Sequence, residues 1–135
     1  MIVNKILLNL IILLHVLCVL FIVCIPFCCS SNYFLLVHII VIPFIILHWV
    51  MNNNACSLTL AEQYIRAKIY NTIPDPTECF THKFIAPIYD FNKNNKNFSN
   101  IIYIFTIMLL CISIYKLYNN YCIGKLNSFY DIFII

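Results

Sequence analysis

Between residues 6 and 61 the chain has no Asp, Glu, Lys or Arg. Soluble domains do not run that far without surface charge, so a water-soluble fold is excluded for this half of the protein. Glycine occurs once, which rules out a Gly-rich phosphate loop and a glycine-flanked serine nucleophile. Neither Cys-x-x-Cys nor His-x-x-x-His occurs, so the local spacings that mark many metal and dithiol sites are missing. The net charge of +3 is small and dispersed, which excludes a basic nucleic-acid patch.

What is present is hydrocarbon. Hydrophobic residues make up 63% of the 135, charged residues 10%, and the mean hydropathy is +0.91; these values define an integral membrane protein, all-α, because a helix satisfies its own backbone in lipid. About 20 apolar residues cross a bilayer core, and the uncharged run is long enough for two passes. Pro26 and the Ser30-Ser31-Asn32 cluster divide it, predicting spans at residues 6–28 and 33–51. A third span is predicted at 98–116, stopped by Lys116. The first apolar run is too long for a signal-peptide core and is expected to remain as an anchor. One integral membrane domain, 1–135, is expected.

The bias of Lys and Arg sets the orientation. Lys5, Arg66, Lys68, Lys83, Lys93 and Lys96 fall on the side of the N-terminus and the 52–97 loop, against Lys116 and Lys125 on the other. The N-terminus and the loop are therefore expected to be cytoplasmic, and the C-terminus opposite. Within that loop Asn52, Asn53 and Asn54 suit a helix C-terminus and turn. Thr59 and Glu62 have capping-box spacing, which predicts an interfacial helix over 60–71. Its predicted apolar face holds Ala61, Tyr64, Ile65 and Ile69, and Glu62, Gln63, Arg66 and Lys68 take the polar side. Residues 79–91 read as an interfacial or re-entrant piece broken at Pro87, followed by a polar linker. The apolar tail from 126 reads as lying along the membrane or on a partner.

Histidines inside a bilayer invite a functional reading. At ~1.5 Å rise per residue, His15 lies ~13 Å and His38 ~20 Å from the same edge, about one turn apart in depth. Cys18 shares a face with His15. Packing by hydrogen bonding is the leading reading of these histidines, and no cofactor is expected. The alternative is a haem or transition-metal site using His15 and His38, with His82 as a further candidate ligand. His48, beside Trp49, and His82 fit the membrane interface. Cys18, Cys24 and Cys111 behave as small apolar residues in spans. Cys28 or Cys29 could pair with Cys122 on an oxidising side, whereas Cys56 and Cys79 are expected to stay reduced.

The order of His15, His38, "CSLTLAEQYIR" at 56–66 and "FTHKFIAPIY" at 80–89 resembles a family of small bacterial multi-pass membrane proteins catalogued as a domain of unknown function. That family's signature runs Cys-Pro-Leu-Thr-x-Leu-Glu, and the resemblance covers residues 6–115. The matching positions are Asn9, His15, His38, Cys56, Leu58, Thr59, Glu62, His82 and Pro87. Ser57 replaces the proline and Ala61 the second leucine. Similar proteins in large DNA viruses carry a His-Trp pair before the Asn-rich turn, here His48-Trp49. The resemblance is functionally silent and implies no activity. The expected role is a structural or protein-interaction component of a membrane, with the bilayer and a second copy or another membrane protein as partners and no nucleic acid. An enzyme is not the leading expectation, and a haem- or metal-dependent redox or transport subunit is the alternative. For the topology, a glycosylation sequon engineered after Asp90 should stay unmodified in a eukaryotic host; glycosylation there would reverse the threading.

Overall fold

The computed structural model describes residues 2–75, 78–85, 95–126 and 128–132. Among them the chain is entirely helical: α1 Ile2–Cys28, α2 Asn32–Met51, α3 Ser57–Tyr70, α4 Phe80–Ile85, α5 Asn95–Cys122, and a short 3-10 helix Phe129–Ile132. Three helices are long and apolar enough to cross a membrane: Val3–Cys28, Asn32–Met51 and Ser99–Cys122. The all-α, three-span reading holds. Residues 86–94, with Pro87 and Asp90, lie outside the described part.

The chain divides into two compact units, Met1–Cys18 with His48–Ser99, and Val19–Leu47 with Asn100–Ile135. In the second unit Ile22, Leu35, Ile42 and Leu109 form the apolar core, and Asn32, His38, Thr106 and Ser113 are buried with them. The key position is Pro26, which sits inside α1. Proline has no N–H, so the carbonyl four residues back, that of Ile22, loses its helical donor. In hydrocarbon no water replaces it, and an unmet carbonyl costs several kcal/mol. His38 Nε2 lies 3.1 Å from that carbonyl oxygen. A carbonyl only accepts, so Nε2 carries the hydrogen. Ser113 Oγ lies 3.0 Å from His38 Nδ1 and donates to it in the neutral ring. His38 and Ser113 are both 0% exposed, so one imidazole joins α1, α2 and α5 while repairing a backbone defect. Phe21 packs on the same ring, with centroids 5.6 Å apart.

Polar groups also gather at the α1–α2 turn. α5 continues past Lys116 to Cys122. Lys116 Nζ donates to the carbonyls of Phe27 at 3.2 Å and Cys29 at 3.4 Å. Those are terminal carbonyls of α1, where a cation is favoured. Asn120 donates to Ser30 O at 3.2 Å and to Asn32 Oδ1 at 2.8 Å. Asn32 in turn donates to Lys125 O at 3.2 Å and Asp131 O at 3.3 Å. The described part of the tail therefore folds back on the start of α2.

In the first unit Leu8, Ile65, Ala67 and Cys79 are the buried apolar residues. The turn after α2 follows the asparagine reading. Asn53 and Asn54 have φ of 52° and 65°, and Asn54 N–H closes on Trp49 O at 2.8 Å. Asparagine tolerates this left-handed region better than most residues. Asn71, at φ 53°, ends α3 in the same way, with its N–H on Ala67 O.

Candidate functional site around Cys56 and His15

The expected capping box does not form. α3 begins at Ser57, two residues before Thr59, and its N-cap is Cys56 with no side-chain capping bond. The first N–H group is met from another helix: His48 Nε2 accepts from Ser57 N at 3.2 Å and from Asn52 Nδ2 at 3.1 Å. His48 thus braces the turn between α2 and α3. Thr59 is half-buried in the first turn of α3. Glu62 is not on a solvated face but 0% exposed.

Glu62 has a different duty. Its Oε1 accepts from Arg66 Nε at 2.9 Å, from Arg66 Nη2 at 2.8 Å, and from the backbone N–H of Phe80 at 2.9 Å. Phe80 is the first residue of α4, so the carboxylate satisfies an orphan donor at that helix start. Arg66 offsets the cost of burying the charge. Glu62 Oε2 is buried with no hydrogen-bond partner. The predicted apolar face of α3 is also turned: Glu62, Ile65 and Ala67 are buried, while Tyr64 is 64% exposed. A paired carboxylate can occupy an inner face that hydropathy alone assigns to water.

Through Phe80 this arrangement reaches the first histidine. The Phe80 and His15 rings lie 6.5 Å apart at an interplanar angle of 60°. His15 is 4% exposed, and its Nδ1 is buried without a hydrogen-bond partner. The same imidazole interacts with the Cys56 side chain. Burial pushes the Cys56 thiol up, but the imidazole of His15 and the backbone at the start of α3 outweigh it and bring the thiol below its ordinary value. Helix N-termini and a neighbouring imidazole are the usual causes of a stabilised thiolate. All eight cysteines are thiols, with no disulfide.

The structure therefore brings together His15, Cys56 and, through Phe80, Glu62. His15 belongs to the first unit and His38 to the second, where His38 has Ile22 O and Ser113 Oγ as partners. His82 lies half-buried in α4. Among the described residues no three His, Cys, Asp or Glu side chains are arranged to hold a metal ion. Both ring nitrogens of His38 are already engaged, a poor fit to a haem or metal ligand. The sequence reading missed His48 as a cap. Comparison with protein-family models, with curated proteins and with solved structures gives no match to this chain.

If Glu62 holds α4 and Thr59 is only a first-turn residue, substitution costs should separate. Glu62→Ala, which strands Arg66 and the Phe80 N–H, should destabilise the protein by roughly 3–5 kcal/mol. Thr59→Ala should cost less than about 1 kcal/mol. Unfolding in mixed micelles measures both, and equal losses would restore the capping box.

Proposed function

We propose that this chain is a small multi-pass membrane component that works by contact, either with a second copy or with another membrane protein. Its N-terminus and the 52–97 loop face the cytoplasm. The observation that carries this reading is the use of the intramembrane histidines. His38 is spent on Ile22 O and Ser113, and His15 on Phe80 and Cys56. His38 thereby has both ring nitrogens engaged, while His15 keeps Nδ1 without a hydrogen-bond partner. The outer faces fit the same role: only 17% of the most apolar stretch of each span is buried, and Leu10, Leu14, Leu17, Phe44, Leu47 and Ile104 are exposed. Lipid tails or apolar helices suit such faces. The likeness to the small bacterial family of unknown function and its viral counterparts adds no reaction.

The test separates contact from cofactor chemistry. Protein purified in mild detergent without chelators should be colourless and carry no stoichiometric iron, copper or zinc, while crosslinking in the native membrane should capture a discrete complex. A Soret band, or about one metal per chain lost on substituting either His15 or His38, would replace this reading with a redox or transport subunit.

A further inference from the structure

The start of α3 is capped from another helix. Cys56, its N-cap, makes no side-chain capping bond, and the first N–H groups of a helix have no partner within it. Ser57 N–H is donated across the turn to His48 Nε2 at 3.2 Å. A ring nitrogen accepts only with a free lone pair, so the imidazole is neutral and carries its hydrogen on Nδ1. The other neighbour is a donor too: Asn52 Nδ2 lies 3.1 Å from each ring nitrogen. Among the described residues these are the ring's hydrogen-bond partners, and neither offers it an acceptor at those contacts.

No charged group of this unit answers a protonated ring. α2 has no Asp, Glu, Lys or Arg, and the turn at 52–56 brings only the Cys56 thiol. On α3, Glu62 is engaged by Arg66 and Phe80 N–H, and Lys68 lies in the last turn. α1 brings Lys5 and His15, α4 brings His82 and Lys83, and Asp75 and Glu78 lie between α3 and α4. Among the described residues none of these is hydrogen-bonded or ion-paired with His48. A cation on Nε2 also faces the N-terminus of α3, where the helix dipole opposes it. The C-terminus of α2 has the opposite polarity, but its last carbonyls are already engaged. Asn52 N–H bonds His48 O at 3.1 Å, and Asn54 N–H bonds Trp49 O at 2.8 Å.

We propose that His48 is a proton-operated clasp between the second span and α3. The neutral ring holds Ser57 N–H; a proton taken from solvent onto Nε2 turns the acceptor into a donor and releases the first turn of α3. The sign follows from the lone pair. The clasp is closed at the alkaline end of the histidine range, about pH 5 to 8, and opens as the pH falls through it. Release starts at the N-terminus of α3, while the bond from Phe80 N–H to Glu62 keeps α3 tied to α4. The clasp acts whether or not the contact role holds, and on the cytoplasmic side proposed for this loop it responds to acidification.

The experiment is amide hydrogen exchange on the full chain in detergent micelles at about pH 5 and about pH 8. Rates are taken relative to an unstructured peptide at the same pH, which removes the intrinsic pH dependence of exchange. The reporting amides are Ser57, bonded to His48, and Leu60, which closes the first turn on Cys56 O at 3.1 Å. In the wild type their protection should fall by about fivefold at the acid end, as expected for one lost hydrogen bond. His48→Gln offers an amide oxygen to Ser57 and takes up no proton, so its protection should be equal at both ends. His48→Leu offers no acceptor and should be weakly protected at both; if it fails to fold, the comparison of the wild type with His48→Gln decides. Equal protection of the wild type at both ends would overturn the clasp, and the same acid loss in His48→Gln would assign it to another group.

Discussion

A backbone carbonyl with no donor, set in hydrocarbon, is the constraint around which the second unit is built. Pro26 creates it at Ile22, and His38 meets it from α2 at 3.1 Å. Water is not available at that depth, so the carbonyl must be answered by protein. Because the ring must give its Nε2 hydrogen to Ile22, its Nδ1 becomes an acceptor, and that in turn calls for the hydroxyl of Ser113 on α5. One missing N–H thereby specifies which faces of three helices meet. Apolar packing around Leu35, Ile42 and Leu109 fills the space but does not by itself choose a rotation, since lipid is as good a solvent for leucine as a neighbouring helix is.

The first unit follows the same rule at its helix ends. His48 answers the start of α3, Glu62 the start of α4, and asparagines in left-handed geometry close α2 and α3. His48 and Glu62 spend a polar side chain on an orphan backbone group, and Asn54 and Asn71 use their own backbone N–H. Lys116, on the carbonyls that end α1, is the counterpart in the second unit. Against that background His15 stands apart, because its buried ring nitrogen Nδ1 has no hydrogen-bond partner.

The spans were legible because length and charge depletion act over twenty residues and no tertiary contact overrides them. The asparagine turn was legible because left-handed geometry is a local preference. The capping box failed for the opposite reason: Thr59 and Glu62 satisfy a local spacing rule, but Arg66 and the Phe80 N–H are better partners for a carboxylate withdrawn from water. Depth arithmetic placed His15 and His38 about one turn apart, yet rise per residue says nothing about rotation. The pointer to the partner of His38 was in the sequence as Pro26, which names the carbonyl four residues earlier as the group needing a donor.

The central claim is that His38 is there because of Pro26, and a double-mutant cycle in mixed micelles tests it most directly. His38→Leu in the wild-type background leaves Ile22 O unmet and should destabilise the protein by about 1–3 kcal/mol. Pro26→Ala returns the helical N–H to that carbonyl, so in its background His38→Leu should cost less, with a coupling energy on the order of 1 kcal/mol. Additive losses, with no coupling between the two positions, would contradict the account.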